Sequence, residues 1–153
     1  MNLKEPNYVP LVRICAIKEK EVPYGTMHIN TPEMVAELVR NLIRHADREY
    51  LLVISVDAKA KPVGIEMVSI GTISEIRVDT KDIFKHAILS NACGVIVIHN
   101  HPSGELEPSS EDIQFTKKMI KVGRLLGIDV LDHVIISDND HLSMKDTTTL
   151  WEL

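Results

Sequence analysis

The run Gly94-Val95-Ile96-Val97-Ile98-His99 narrows the possible folds more than any other stretch of the chain. Its β-branched residues lose little by being extended and fit a pleated surface. A half-exposed strand alternates apolar and polar residues, and this run does not. Both of its faces must therefore be covered, which predicts a central strand between layers of helix.

The flanking sequence supplies those layers. Residues 30–46 repeat Val35, Leu38, Val39 and Leu42 at helical spacing, with Thr31 as cap, Pro32 at the first helical position and Glu33 near the positive end of the dipole. Residues 80–92 predict a second helix capped by Thr80. Residues 109–127 predict a third, burying Phe115, Met119, Val122 and Leu126 and stopping at Gly127. Apolar runs at 49–57 and 64–71 predict an antiparallel hairpin, and 128–137 a further strand. Residues 74–78 read as a short exposed piece, and 11–22 as a strand that turns charged. The expectation is an α/β domain with a mixed sheet flanked by helices over 30–153, preceded by an N-terminal strand or extension over 1–29. A length of 153 residues suits one domain.

Charge and cysteine content restrict the function. Seventeen basic against 22 acidic residues leave a net charge of -5, which disfavours direct binding of nucleic acid, because that affinity comes from neutralising phosphates. Cys15 and Cys93 lie in apolar surroundings without C-x-x-C spacing and read as buried thiols, not a disulfide framework. The first residues lack the apolar core of a signal peptide, and no apolar run approaches the ~20 residues needed to cross a bilayer. A cytoplasmic location without membrane attachment is expected. The sequence sets no oligomeric state.

The chemistry concentrates in "HNHPSGELEPSSED", residues 99–112. His99 ends the central strand, and i and i+2 of extended chain point the same way, so His99 and His101 can face one point. Asp112 falls in the first turn of the third helix. Two imidazoles and a carboxylate are the donor set of a catalytic zinc site that keeps its fourth position for water. Bland readings exist for each part: a polar loop for His-x-His, and an S-x-x-[DE] capping box for Ser109 to Asp112. The letters His-Asn-His do not make an HNH nuclease, whose defining residues are spread over a ββα hairpin. The deaminase pattern H-x-E with P-C-x-x-C is absent.

Taken whole, H-x-H-P-S-G followed by P-S-x-x-D, with ten residues between His101 and Asp112, resembles the JAMM (MPN+) metalloprotease motif. More narrowly the chain resembles the RadC family, through "EYLLVISVD", "GTISE", "KDIFKHAILSNACGVIVIHNHPSG", "PSSEDI", "LLGIDVLDHVII" and Ser143, over roughly residues 30–145. The resemblance implies the JAMM/MPN architecture, which is cytidine-deaminase-like, and one zinc ion per chain held by His99, His101 and Asp112. It assigns Ser109 to polarising the scissile carbonyl and Glu49 to general acid–base catalysis, with Glu66 as competitor for that role. The implied function is zinc-dependent hydrolysis of peptide or isopeptide bonds in an unidentified protein or peptide. The alternatives are a DNA-repair-associated accessory module with a structural or idle metal, and a hydrolase of another amide. Full-length RadC proteins resemble a two-part chain with a helix-hairpin-helix region, for which no room is seen here. Asp132 and His133 match a family signature, with His133 read first as a core histidine. His28, His45, His86 and His141 read as solvated, and Lys117, Lys118, Lys121 and Arg124 as an exposed helix face.

Overall fold

The structure is a computed structural model that describes residues 9–25, 28–43, 46–71 and 78–152. Its elements are α1 (Pro32–Ile43), β1 (Tyr50–Val56), β2 (Pro62–Ile70), α2 (Thr80–Leu89), β3 (Gly94–Asn100), α3 (Ser110–Leu126), β4 (Asp129–Ile136), β5 (His141–Ser143), α4 (Met144–Thr147) and a 3-10 turn (Leu150–Glu152). The strands form one sheet in the order β2-β1-β3-β4-β5. β1 runs antiparallel to both β2 and β3, β3 is parallel to β4, and β5 returns antiparallel on β4. This is the mixed, helix-flanked α/β sheet that the apolar pattern predicts.

All residues of β3 are buried, as a strand covered on both faces must be. Ile96 and Ile98 join Leu52, Ile54, Val134 and Ile136 under α1. Val95 and Val97 join Leu51, Val53 and Ile135 on the other face, under Ile83 and Phe84 of α2 and Met119 and Ile120 of α3. Each such side chain contributes about 1.5–3 kcal/mol when withdrawn from water. α3 lies close to the strand that follows it, and a β-carbon at Gly123 would meet the backbone oxygen of Ile128 at 2.4 Å. Gly127 closes α3 at φ 68°, the left-handed conformation expected of a glycine stop.

Several local expectations give way to tertiary structure. Residues 9–25 form no strand, and Val9, Leu11, Val12, Ile14 and Ile17 are exposed, so the expected strand over 11–22 does not form among the described residues. Thr80 is inside α2 and the cap position is Asp79, which makes no side-chain capping bond. The buried stripe of α3 is Asp112, Thr116, Met119, Ile120 and Gly123, with Leu126 exposed. That is a rotated version of the predicted face, because the sheet and α2 select which residues turn inward. Cys15 and Cys93 are both exposed free thiols. His28 meets the carbonyl of Lys59 at 2.7 Å, His86 meets Ser55 Oγ at 2.9 Å, and His141 lies 3.6 Å from Glu33, so these histidines are engaged and not simply solvated. His45 and most of 74–78 lie outside the described residues. Among the described residues no helix is long and apolar enough to cross a membrane.

Candidate metal centre

Strand alternation aims His99 at the α2–α3 layer, in line with Val95 and Val97. The chain leaves β3 at Asn100 and turns over residues 101–104, where Gly104 takes φ 83° and donates to the His101 carbonyl at 2.9 Å. This keeps His101 close to His99, and their Nε2 atoms lie 2.9 Å apart. Asp112 of α3 completes the group, with Oδ1 3.4 Å from His99 Nε2 and Oδ2 3.7 Å from His101 Nε2. The candidate donor atoms of the three residues all lie within 4.8 Å of one another.

Asp112 serves two masters. Ser109 is the N-cap of α3, and its hydroxyl accepts from the Asp112 N–H at 3.1 Å. Asp112 Oδ2 in return accepts from the Ser109 N–H at 2.8 Å and from Ser109 Oγ at 2.6 Å. The capping box is real, and it uses only one carboxylate oxygen. The other, Oδ1, is buried and has no hydrogen-bond partner among the described residues. An acceptor orphaned in this way costs about 1–3 kcal/mol, and a cation between it and the two imidazoles removes that cost. The residues present therefore fit a metal ion.

Hydrogen-bond direction sets the imidazole tautomers toward the same point. His101 Nδ1 lies 2.7 Å from the Glu105 carbonyl, which can only accept, so the proton sits on Nδ1 and Nε2 offers a lone pair. For His99 the same result arrives through a relay. Thr116 Oγ1 donates its single proton to the Asp112 carbonyl at 2.6 Å, with Met144 Sδ a longer neighbour at 3.7 Å. His133 Nδ1, 2.6 Å from that hydroxyl, must then be the donor. His133 Nε2 is left as acceptor for His99 Nδ1 at 2.7 Å, so His99 Nε2 also presents a lone pair to the cluster. Metal-binding histidines are commonly oriented in this way by their second nitrogen.

The ionisation tendencies favour neutral His99 and His133, while the carboxylate beside His101 favours its charged form. Burial pushes His133 down to about 4. Burial, with His133 adding to it, also holds His99 well below its ordinary value. Burial pushes the Asp112 carboxyl upward, but the neighbouring imidazoles of His101 and His99 and the hydrogen bonds from Ser109 outweigh it and hold it well below the usual carboxylate range. The Asp112 carboxylate beside it raises His101 against its partial burial, and the charge of Glu49 adds to the rise.

The relay has a test. We expect Thr116→Val to weaken metal affinity about 10- to 100-fold in a chelator-competition titration, while Thr116→Ser keeps it. Equal loss in both would mean that the packing of the side chain matters and the hydroxyl proton does not.

The sheet register separates the two candidate glutamates. Leu51 pairs with His99 at the end of the β1–β3 ladder, Glu49 directly precedes β1, and its charge raises His101. Glu66 instead pairs with Val53 on the edge strand, deeper along the sheet and one strand further out. Its Oε2 is buried without a hydrogen-bond partner among the described residues, which no feature of the cluster explains. Ser109 stands at the cluster, but its proton is directed at Asp112. His133, read from sequence as core, is buried and also bridges His99 to Thr116. Thr116 was not anticipated; its signal was a lone hydroxyl four residues after Asp112 on one helix face.

The profile of the RadC-like JAB domain matches residues 29–149. A UPF0758 protein of Desulfitobacterium hafniense (strain DSM 10664 / DCB-2) is 44% identical over 118 residues, which are 77% of this chain and 52% of that protein. UPF0758 proteins of Finegoldia magna (45% over 117 residues; 76% and 52% of the two chains) and Alkaliphilus metalliredigens (38% over 122; 80% and 53%) are similar. The chain spans about half the length of these curated relatives.

Proposed function

The chain belongs to the RadC-like JAB domain family, and from that premise we propose that it is a zinc-dependent hydrolase of peptide or isopeptide bonds. The observation that supports this reading is the His99–His101–Asp112 cluster, with a lone pair on each Nε2 and an orphaned carboxylate oxygen, together with the influence of the Glu49 charge on His101. Two nitrogens and one oxygen suit zinc with one position left open.

His99, His101 and Asp112 would hold the ion. Zinc bound there would lower the pKa of a water toward about 7 and so make a nucleophile available at neutral pH. Glu49 would accept a proton from the attacking water. As the water oxygen bonds to the carbonyl carbon and the C–N bond breaks, Glu49 would pass the proton to the leaving amine. One proton is taken and one returned, so the glutamate ends as it began. The Ser109 hydroxyl donates to the developing carbonyl negative charge once it rotates away from Asp112 Oδ2, a turn of one side-chain bond.

The test is a panel of peptides, isopeptide-linked pairs and small amides, run with chelator and then with zinc restored. Hydrolysis of a peptide or isopeptide bond that stops with chelator and returns with zinc is expected. Cleavage of the small amides alone would move the reading to another amide hydrolase. The accessory-module alternative requires DNA binding that strengthens as salt falls, and the net charge of -5 opposes it.

A further inference from the structure

We propose that Asn100 is a positioning residue that holds Glu49 over the metal cluster. This rests on the reading of Glu49 as the acid–base group. Asn100 sits between the two histidines in sequence, yet its side chain leaves β3 on the opposite face from His99, in line with Ile96 and Ile98. It is 6% exposed. Its Oδ1 accepts from the Tyr50 N–H at 2.7 Å, and its Nδ2 donates to the Arg48 carbonyl at 3.0 Å. The orientation of the amide is unambiguous, since an N–H must face the oxygen and a carbonyl must face the nitrogen.

These two bonds straddle Glu49. The Glu49 carbonyl is held by the Gly71 N–H at 2.8 Å, so the main chain on both sides of the glutamate is pinned. The arrangement has a simple origin in the sheet. The ladder between β1 and β3 ends at the pair Leu51 and His99. One residue further, the side-chain amide of Asn100, a copy of a peptide group, offers one donor and one acceptor where main-chain pairing has stopped. β3 thus presents His99 to the cluster with one face and clasps the main chain around Glu49 from the other. Aspartate could still accept from Tyr50 but would turn a carboxylate oxygen toward the Arg48 carbonyl. Alanine or leucine could make neither bond.

A role through Glu49 differs measurably from a general role in folding. In zinc-loaded Asn100→Ala, we expect zinc content like wild type, a kcat lower by about 10²-fold, the scale on which misplacing a catalytic group acts, and little change in KM. Adding Asn100→Ala to Glu49→Gln should lower kcat no further, because the residue acts only through Glu49. In the metal-free protein, amide exchange at Tyr50 should accelerate in Asn100→Ala relative to its strand neighbours. Asn100→Asp, of nearly the same shape, serves if the alanine protein fails to fold, and it should show the same kcat loss. Independent, multiplying losses in the double variant, or loss of zinc in either single variant, would overturn the proposal. Unchanged exchange at Tyr50 would overturn the clamp whatever the activity. Full activity in Glu49→Gln would instead remove the reading on which the proposal rests.

Discussion

Glu49→Gln is expected to bind zinc like the wild type and to hydrolyse substrate about 10²- to 10⁴-fold more slowly. The substitution keeps the size of the side chain and removes its capacity to take up a proton. The candidate donor atoms belong to His99, His101 and Asp112, and Glu49 lies outside that group, just before β1. Metal analysis beside a single-turnover assay separates the two consequences. A variant that lost zinc would make Glu49 a ligand. One that kept both zinc and rate would return attention to Glu66, a half-buried residue of the edge strand with one buried carboxylate oxygen.

His101→Ala is expected to lower bound zinc from about one per chain to near zero after dialysis, because two protein donors hold zinc poorly where three are normal. His101 is a better choice than His99 for this test. Its side chain is 13% exposed at the end of β3, while His99 is fully buried and its removal would also orphan His133. The variant should fold without metal, and the zinc-dependent gain in melting temperature should vanish with the binding. That gain corresponds to about 4 kcal/mol when free metal stands 1,000-fold above Kd. Zinc retained at wild-type stoichiometry and affinity would refute the ligand assignment.

The parts of this molecule legible in the sequence are those where one local pattern admits one answer. Val95 to Ile98 can only be covered on both faces, and they are. Ser109 and Asp112 announce a capping box at the start of a helix, and Gly127 its end. The i, i+2 rule brings His99 and His101 together, and the spacing to Asp112 does the rest. What the sequence conceals depends on which neighbour an element meets. The face of α3 turns Thr116 inward, where periodicity favoured Phe115, because α3 packs with both the sheet and α2. Residues 11–22 open like a strand yet have no pairing partner among the described residues. Cys93 lies between apolar neighbours but at the mouth of a strand, where it is exposed. Asn100 gave no signal, since an asparagine between two histidines does not say which main chain it will clasp. Asp112 read as either a cap or a ligand, and the structure shows one oxygen available for each use.

The alternation of β3 also governs where the chain can tolerate change. His99 and Asn100 are adjacent residues on opposite faces, one in the ligand cluster and one at the backbone of Glu49. Inserting or deleting a single residue within β3 would exchange those faces. It would send an imidazole under α1 and an amide into the cluster, and so erase both halves of the site at once. An insertion at the exposed tip between β1 and β2, around Lys59, would leave the pairing of Leu51 with His99 untouched. Length variation in such a domain is therefore confined to its turns, while β3 behaves as a ruler whose every mark is in use.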